Sequence, residues 1–452
     1  MATVINPAGA CTAAFRRLAA RVAATQPDWV TRRRQRAIDT FERLGFPTTR
    51  DEEWRFTNVT PIAETEFVPA GDALAAGNPP AVESFRLPMA TAELVFVNGR
   101  YASALSKVGS LPPGARVESL ASALTSHASE LEQHLAHVAE FERQAFVALN
   151  TALWTDGVFV SVPAGTVLQS PVHIMFVSTG IRQQKSDTAG GCAAITHPRV
   201  LVLAGRDSQF SIVESYLGAS DGRYFTNAVT EIILGDQALV EHYKLQAERD
   251  ISYHMATIRA VAASNATFRS HSIGFGGALV RNDVVATLSG EGAECTLNGL
   301  DFADGTRLVD NNTMIDHTKP HCSSRELYKV ILADRARAVF NGKIVVRPDA
   351  QKTDAKQTNK ALLLSEDAQI NTKPQLEIFA NDVKCTHGAA VGQMDEDALF
   401  YLRARGLALR DAREFLIHAF AGEVLNKMPL EALRDRADAE LLRQLTRSGA
   451  GR

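Results

Sequence analysis

The sequence lacks a long apolar run and an excess of charge of either sign. Among its 452 residues, no uninterrupted hydrophobic stretch approaches the roughly 18 residues that a membrane-spanning helix needs. The formal net charge of -3 at pH 7 gives no overall attraction to nucleic acid or to an anionic membrane. With 45% hydrophobic and 22% charged residues, the composition is that of a globular protein long enough for two or three domains. We therefore expect neither a membrane protein nor a nucleic-acid-binding protein.

Cysteine is also scarce, and its pattern argues against a disulfide framework. The five cysteines form an odd, widely spaced set: Cys11, Cys192, Cys295, Cys322 and Cys385. Such a set is typical of a reducing compartment. Residues 1–27 contain arginines but no acidic residue, as a transit peptide would, yet an amphipathic helix over Thr12–Ala24 is the simpler interpretation. We expect a cytoplasmic protein.

The spacing of apolar residues divides the chain into three regions. Residues 1–155 are helical and mixed, with helical spacing over Thr12–Leu44 and Ser119–Ala152 and a strand expected at Glu93–Val97. Residues 156–393 consist of short alternating runs separated by Gly, Asp and Asn turns, which predicts an almost entirely β core. Residues 394–452 return to helical spacing with apolar stripes. These C-terminal helices are expected to cap the core, to bind a partner, or to do both.

The β region contains a weak repeat. A small residue, any residue and then an apolar residue recur after polar turns, with steps of 30, 28, 27, 45 and 30 residues between the apolar members. Those members are Phe210, Val240, Phe268, Cys295, Phe340 and Ile370. Units of this length can stack into a β-helix, in which each coil lays its strands on those of the preceding coil. The ends of such a solenoid expose unpaired strand edges, which need a cap or a partner.

Near the end of the β region, the segment Phe379–Gly392 brings together a thiol and an imidazole. Cys385 and His387 are two residues apart in an extended context, so their side chains share one face of the strand, about 7 Å apart along the backbone. Sulfur and nitrogen ligands suit iron, zinc or cuprous copper. Because two ligands do not complete a tetrahedral site, the others must come from elsewhere, such as another chain. A buried structural cysteine near a turn is the alternative interpretation.

The chain lacks the motifs of an ATPase and of an obvious hydrolase. Its only Gly-Lys pair, Gly342-Lys343, lacks the upstream glycine and the following Ser or Thr of a P-loop. His317–Cys322 has metal-ligand residue types, but Pro320 lies within it and no second ligand cluster accompanies it, which favours a turn. No Asp/Glu pair stands out as an acid–base couple. A β-helix enzyme acting on carbohydrate through carboxylates on a strand face is kept as the alternative function.

Three segments together resemble the SufB/SufD family of iron–sulfur cluster assembly proteins. They are D-E-E-W-R-F-T-N (Asp51–Asn58), D-G-V-F-V-S-V-P-A-G (Asp156–Gly165) and the long block Thr372–Gly406. Within this block, C-T-H-G-A-A-V-G is similar to the SufD branch, whereas SufB members usually carry a glutamate–histidine arrangement there. Ala390 is a small departure, because many SufD sequences have Thr at that place.

The resemblance implies a mainly β fold, a right-handed parallel β-helix with N-terminal and C-terminal helical regions. It also implies a non-catalytic scaffold subunit that pairs with a SufB-like paralogue through the β-helix ends and binds a SufC-like ATPase through its C-terminal helices. We take residues 394–452 as the ATPase-binding region and name four candidate contact residues: Leu399, Phe400, Phe415 and Phe420.

The resemblance further implies that a nascent cluster forms at the interface between the two paralogues. Cys385 and His387 are the candidate ligands of iron or of that cluster, with His387 the stronger candidate. No cofactor is expected to bind stably to this chain alone, and a flavin is expected only in the full complex. In the absence of the paralogue, the open edge can pair with itself and form a homodimer.

Overall fold

The computed structural model describes residues 7–22, 25–70, 82–180, 193–219 and 222–449. Cys192 therefore lies outside the described residues. The chain folds into a parallel β-helix with helices at both ends, which confirms the predicted fold class. Within the described residues, no helix combines the length and the apolarity needed to cross a membrane.

The N-terminal region is built from helices and short strands. Its helices are α1 (Pro7–Val22), α2 (Asp28–Leu44), α3 (Thr60–Ala63), α4 (Leu120–Ser126), α5 (Ala128–His134) and α6 (Ala145–Leu153). Its strands are β1 (Phe67–Pro69), β2 (Ala92–Val97), β3 (Arg100–Tyr101), β4 (Lys107–Val108) and β5 (Arg116–Ser119). The predicted strand Glu93–Val97 is confirmed as β2. Helix α2 ends at Gly45, whose φ of 65° suits a residue without a side chain.

The solenoid follows without an intervening helix. Its strands are β6 (Gly157–Val162), β7 (Val172–Ser178), β8 (Ala193–Thr196), β9 (Arg199–Ala204), β10 (Gln209–Gly218), β11 (Tyr224–Leu234), β12 (Leu239–Ala247), β13 (Tyr253–Ala262), β14 (Thr267–Gly274), β15 (Leu279–Leu288), β16 (Glu294–Ala303), β17 (Leu308–His317), β18 (Ser323–Leu332), β19 (Arg337–Val346), β20 (Asp354–Leu363), β21 (Gln369–Ile378) and β22 (Lys384–Gln393). Three helices end the chain: α7 (Glu396–Ala404), α8 (Leu409–Leu425) and α9 (Glu431–Ser448).

From β9 onward, successive strands of the solenoid alternate between two sheets, and each sheet contains eleven strands when those of the N-terminal region are included. The odd-numbered strands from β9 to β21 lie in one sheet, and the even-numbered strands from β10 to β22 lie in the other. Within each of these two sets, neighbouring strands pair in parallel. The N-terminal region covers the first coil, because β2 pairs with β7 and β5 pairs with β6. The opposite end of the solenoid ends in β21 and β22.

The same turn recurs at one corner of the coils. A residue with positive φ stands two positions before each of six consecutive strands in the second sheet: Asp207, Gln237, Asn265, Gly292, His321 and Lys352. Left-handed backbone at this position redirects the chain from one sheet into the other. His321 belongs to this series, so the turn predicted at His317–Cys322 is confirmed.

The weak repeat corresponds to real stacking for its first four members. Phe210, Val240, Phe268 and Cys295 are register partners in consecutive coils and are buried in the solenoid core. The next residue in this row is Ser324, which is polar. The repeat therefore skips to Phe340 in the other sheet, and this change of sheet accounts for the irregular step of 45 residues.

The helical prediction for Ser119–Ala152 is wrong in its middle part. Three short helices occupy this stretch, and Ala136, with a φ of 59°, lies in the irregular connection between α5 and α6. The buried carboxylate of Glu231 accepts hydrogen bonds from the backbone N–H groups of Ala136, Val138 and Ala139 at 2.8–3.0 Å. These backbone N–H groups would donate to backbone carbonyls in a continuous helix, but here they donate to the carboxylate instead. A residue on β11 therefore determines that this stretch is not helical.

The charged and aromatic segment Asp51–Asn58, which follows α2, packs on the outer face of the first sheet. The Arg281 guanidinium stacks over the Trp54 ring at 3.8 Å and pairs with the buried Asp310 carboxylate at 2.6 Å. The Thr57 hydroxyl donates to the same carboxylate at 2.5 Å. Farther along, the Glu52 carboxylate pairs with Lys373 on β21 at 2.7 Å. The segment thereby ties the N-terminal region to the last coil.

Candidate functional site

The last coil presents two unpaired strand edges. Among the described residues, β21 pairs with β19 and β22 pairs with β20, and no further strand continues either sheet. Nearly every residue of β22 is exposed, whereas the strands of earlier coils are largely buried. Three large apolar side chains are exposed near this end: Ile378, Phe379 and Val391. An exposed edge with apolar residues is a surface on which another strand can dock.

His387 and Cys385 lie on the inner face of β22. Their register partners on β20 are Gln357 and Ala355, which are both 1% exposed and point into the coil. Because register partners on parallel strands share a face, His387 and Cys385 also point toward the solenoid interior. His387 is nevertheless exposed, since no coil follows. The structure thus brings the two predicted ligands to one face of an open end.

Cys385 has the more apolar surroundings of the two. Its half-buried side chain packs against the small cluster of Ile344, Val346, Ala350, Ala355 and Ala380. This desolvation raises the pKa of the Cys385 thiol above its usual value. Because the thiolate is the form that binds metal, Cys385 requires a nearby positive charge, such as the metal ion itself, to become a good ligand.

A polar row continues inward from His387. The Gln357 Nε2 group donates to the Glu326 carboxylate at 2.7 Å, and Glu326 is in turn the register partner of Gln357 on β18. Both side chains are buried. Burial raises the pKa of Glu326 to about 7, although the hydrogen bond from Gln357 offsets part of this effect. Sequence reasoning missed both residues, and the only signal in the sequence was their spacing, since 31 residues separate Glu326 from Gln357 and 30 residues separate Gln357 from His387.

Further polar groups lie deeper inside the solenoid. The Glu214 carboxylate accepts a hydrogen bond from the Tyr216 hydroxyl at 2.6 Å and lies 3.2 Å from the His242 Nε2 atom. Burial lowers the pKa of Lys244 to about 8 and raises the pKa of Asp301 to about 6. These groups satisfy or neutralise each other within a closed interior. We therefore assign them a structural role.

The four residues predicted to bind an ATPase partner differ in their exposure. Phe400 and Phe415 are 75% and 57% exposed, on α7 and α8 respectively. Leu399, in contrast, is only 7% exposed. Phe420 is half-buried, with the Lys329 ammonium 4.0 Å from its ring. Leu399 and Phe420 therefore contribute to packing within this chain, and the accessible part of the predicted surface consists of Phe400 and Phe415.

The C-terminal helices pack along the side of the solenoid. An apolar cluster joins α8 and α9 to outward-facing residues of the second sheet, and it includes Tyr243, Ile273, Ile331, Ile417 and Leu441. The Lys329 ammonium also donates to the Phe420 backbone carbonyl at 2.8 Å and pairs with Glu423. These contacts leave the edges of β21 and β22 uncovered, so the open edge and the exposed aromatic surface are separate features.

No complete metal site is formed by this chain within its described residues. No group of three or more His, Cys, Asp or Glu side chains is placed to hold a metal ion there. Cys385 and His387 supply two donors of the kind that iron prefers, on an edge that another chain can reach. The arrangement can contribute part of a shared ligand set.

The chain matches two family models that together span most of its length. The SUF system FeS cluster assembly, SufBD core domain matches residues 184–420, and the SufBD protein N-terminal region matches residues 10–174. A SufBD family iron–sulfur cluster assembly protein from Synechocystis is 35% identical over 426 residues, covering 92% of this chain and 91% of the relative. The iron–sulfur cluster assembly protein SufD of Escherichia coli is 32% identical over 411 residues, covering 91% and 92%. The chloroplastic protein ABCI7 of Arabidopsis thaliana is 30% identical over 412 residues, covering 89% and 84%.

Proposed function

Because the chain belongs to the SufBD family of iron–sulfur cluster assembly proteins and is SufD-like, we propose that it is a non-catalytic scaffold subunit of a SUF assembly complex. In this proposal a SufB-like paralogue docks on the edge formed by β21 and β22, and the nascent cluster forms between the two chains. The observation that carries the proposal is the position of His387 and Cys385, an incomplete ligand pair on an uncovered inner face.

His387 is the principal ligand in this proposal, and Cys385 joins it once iron is present. The imidazole is exposed and can reach a shared ion, whereas the thiol must lose a proton from an apolar environment. The iron–sulfur cluster is cargo that forms and leaves, so this chain alone holds no cofactor stably. A flavin, if the assembly uses one, belongs to the full complex.

A SufC-like ATPase docks on the C-terminal helices in this proposal, and it supplies the ATP hydrolysis. Phe400 and Phe415 are the central contact residues, because large exposed aromatic side chains are typical anchors of protein interfaces. We expect Phe400→Ser and Phe415→Ser to reduce co-purification with the ATPase. Val167→Ser, at an exposed apolar position outside the C-terminal helices, is the matched control and should retain it. Equal retention of the ATPase by all three variants would contradict this docking surface.

The cellular location in this proposal is the cytoplasm. The four described cysteines are free thiols, as a reducing compartment would leave them. Without its paralogue, the chain is expected to pair through the same edge and form a homodimer, which sedimentation of the isolated chain would detect. Addition of the paralogue should then replace the homodimer with the mixed complex.

The ligand role is tested by His387→Ala in the reconstituted complex with the paralogue and the ATPase. We expect this change to leave folding and partner binding intact, because the side chain is exposed, and to lower the rate of cluster formation by at least about tenfold. Cluster formation is followed by its visible absorption and by transfer to an apo acceptor protein. Thr386→Ala is the matched control, since Thr386 is exposed on the opposite face of the same strand. Wild-type rates in the His387→Ala complex would exclude the ligand role.

A further inference from the structure

Gln357 lies directly beneath His387 on the inner face of the last two coils. The two residues are register partners on β20 and β22, so their backbones are separated by about 4.8 Å and their side chains point the same way. Gln357 is buried, whereas His387 is exposed. Gln357 is therefore the polar residue that immediately precedes His387 in this inward-facing row.

The orientation of the Gln357 amide is fixed from the interior side. Its Nε2 group donates to the Glu326 carboxylate at 2.7 Å, and at pH 8, where Glu326 is mainly ionised, the carboxylate can accept only from the amide nitrogen and not from the amide oxygen. Gly342 provides the necessary room, because a Cβ atom there would come within 2.3 Å of Gln357 Nε2. The Oε1 atom is consequently directed away from the carboxylate. It is buried and has no hydrogen-bond partner within the described part of the chain.

A buried amide oxygen without a donor carries an energetic cost, which a donor supplied by the neighbouring coil would remove. We propose that Gln357 Oε1 accepts a hydrogen bond from one ring nitrogen of His387 and thereby selects the tautomer whose other nitrogen binds iron. Gln357 is then a positioning residue, and Glu326 holds its amide in the required orientation. This inference rests on the proposed ligand role of His387. It follows the general pattern in which a metal-binding histidine donates its second N–H to a fixed acceptor.

The same strand offers a matched comparison. Asn359 is two residues farther along β20, on the same face and also buried, and its Oδ1 atom likewise lacks a partner in the described chain. Its register partner on β22 is Ala389, which carries no side-chain donor. A change at Asn359 therefore reproduces the loss of a buried amide on this strand without removing an acceptor beneath His387.

The test is the tautomer of His387 in the full chain at pH 8, measured by nitrogen-15 NMR of labelled histidine, with the His387→Ala variant identifying the signal. We expect Gln357→Leu to change the ratio of the two tautomers by about fivefold, which corresponds to the loss of one ordinary hydrogen bond. With Zn²⁺ as a probe, the same variant should bind the ion at His387 about tenfold more weakly. Asn359→Leu should leave both quantities at their wild-type values.

An exchange variant, Glu326→Gln with Gln357→Glu, tests the inference should Gln357→Leu fail to fold. It preserves the hydrogen-bonded pair but places a carboxylate beneath His387, so the favoured tautomer should become more dominant than in the wild type. The inference is overturned if the tautomer ratio is unchanged in Gln357→Leu or in the exchange variant, or if Asn359→Leu alters it equally. The tautomer ratio and the affinity for Zn²⁺ do not depend on cluster formation. A failure of this inference can therefore be told apart from a failure of the proposed function, which would be seen as normal cluster formation by the His387→Ala complex.

Discussion

The Glu326 carboxyl makes the stability of this protein depend on pH in a direction that can be calculated. Its pKa is raised to about 7 in the folded chain from a reference value of 4.5, because the side chain is buried inside the solenoid. The folded state therefore binds a proton more tightly than the unfolded state does. The stabilisation that this carboxyl contributes is fully present below pH 4.5. It is lost as the pH rises from 4.5 through about 7, and the free energy of unfolding no longer changes on its account at higher pH.

Replacement of Glu326 by Gln removes this titration while keeping a side chain of similar shape. A shift from 4.5 to about 7, at 1.36 kcal/mol per pKa unit, penalises the folded wild-type protein by about 3 kcal/mol at high pH. Part of this penalty is already present at pH 5. We therefore expect the free energy of unfolding of Glu326→Gln, relative to that of the wild type, to increase by about 2.5 kcal/mol between pH 5 and pH 8.

Urea unfolding of the full chain at several pH values measures this difference. Other titrating groups affect both proteins alike and cancel in the comparison. Glu294→Gln, at an exposed position at the start of the adjacent strand β16, is the control for the removal of a solvent-exposed glutamate. A Glu326→Gln difference that stays constant within about 0.5 kcal/mol from pH 5 to pH 8 would refute the desolvation argument.

Two further predictions concern the contact between the N-terminal segment and the solenoid, and the thiol of Cys385. Trp54→Ala should lower the free energy of unfolding by about 2 kcal/mol, because it removes a half-buried ring that packs against Phe146 and on which the Arg281 guanidinium stacks, and a loss below about 0.5 kcal/mol in urea unfolding would contradict this. Iodoacetamide should alkylate Cys385 in the isolated chain at pH 8 at least about threefold more slowly than it alkylates a cysteine peptide, because burial raises the thiol pKa. Peptide mass spectrometry measures the rate, and alkylation as fast as in the peptide would show a freely accessible thiolate.

The sequence predicted the features that depend on alternation along a single strand. The spacing of Cys385 and His387 was enough to place both side chains on one face, and the weak repeat brought Phe210, Val240, Phe268 and Cys295 into one row. Alternation alone does not say which face of a strand points inward when both carry polar residues. Gln357 and Glu326 look like solvent-facing residues in the sequence, and their inward position is evident only from their register with neighbouring coils.

The broken helix near Ala136 has a similar origin in long-range contacts. Its apolar spacing fits a helix, but the buried carboxylate of Glu231, which also pairs with Arg199, binds three backbone N–H groups of this stretch. An unpaired carboxylate inside a protein costs several kcal/mol, so satisfying it outweighs the modest preference of these residues for a helix. Local propensity cannot reveal such a partner, since it comes from a distant strand.

In the proposed function, the geometry of the stacked coils links docking of the partner to binding of iron. Gln357 and His387 occupy the same inward-facing row, yet only His387 is exposed, because the solenoid stops after β22. A partner strand docked on β22 would lie about 4.8 Å away, and metal–nitrogen bonds are about 2 Å long, so inward-facing side chains on the two strands can bind one ion between them. The solenoid interior cannot supply the second ligand of this ion, since the Gln357 side chain already occupies the inward-facing position on the preceding coil. Under the proposed function, docking would therefore cover His387 and complete its ligand set in a single step, and we expect iron to be held firmly only after the two chains have met.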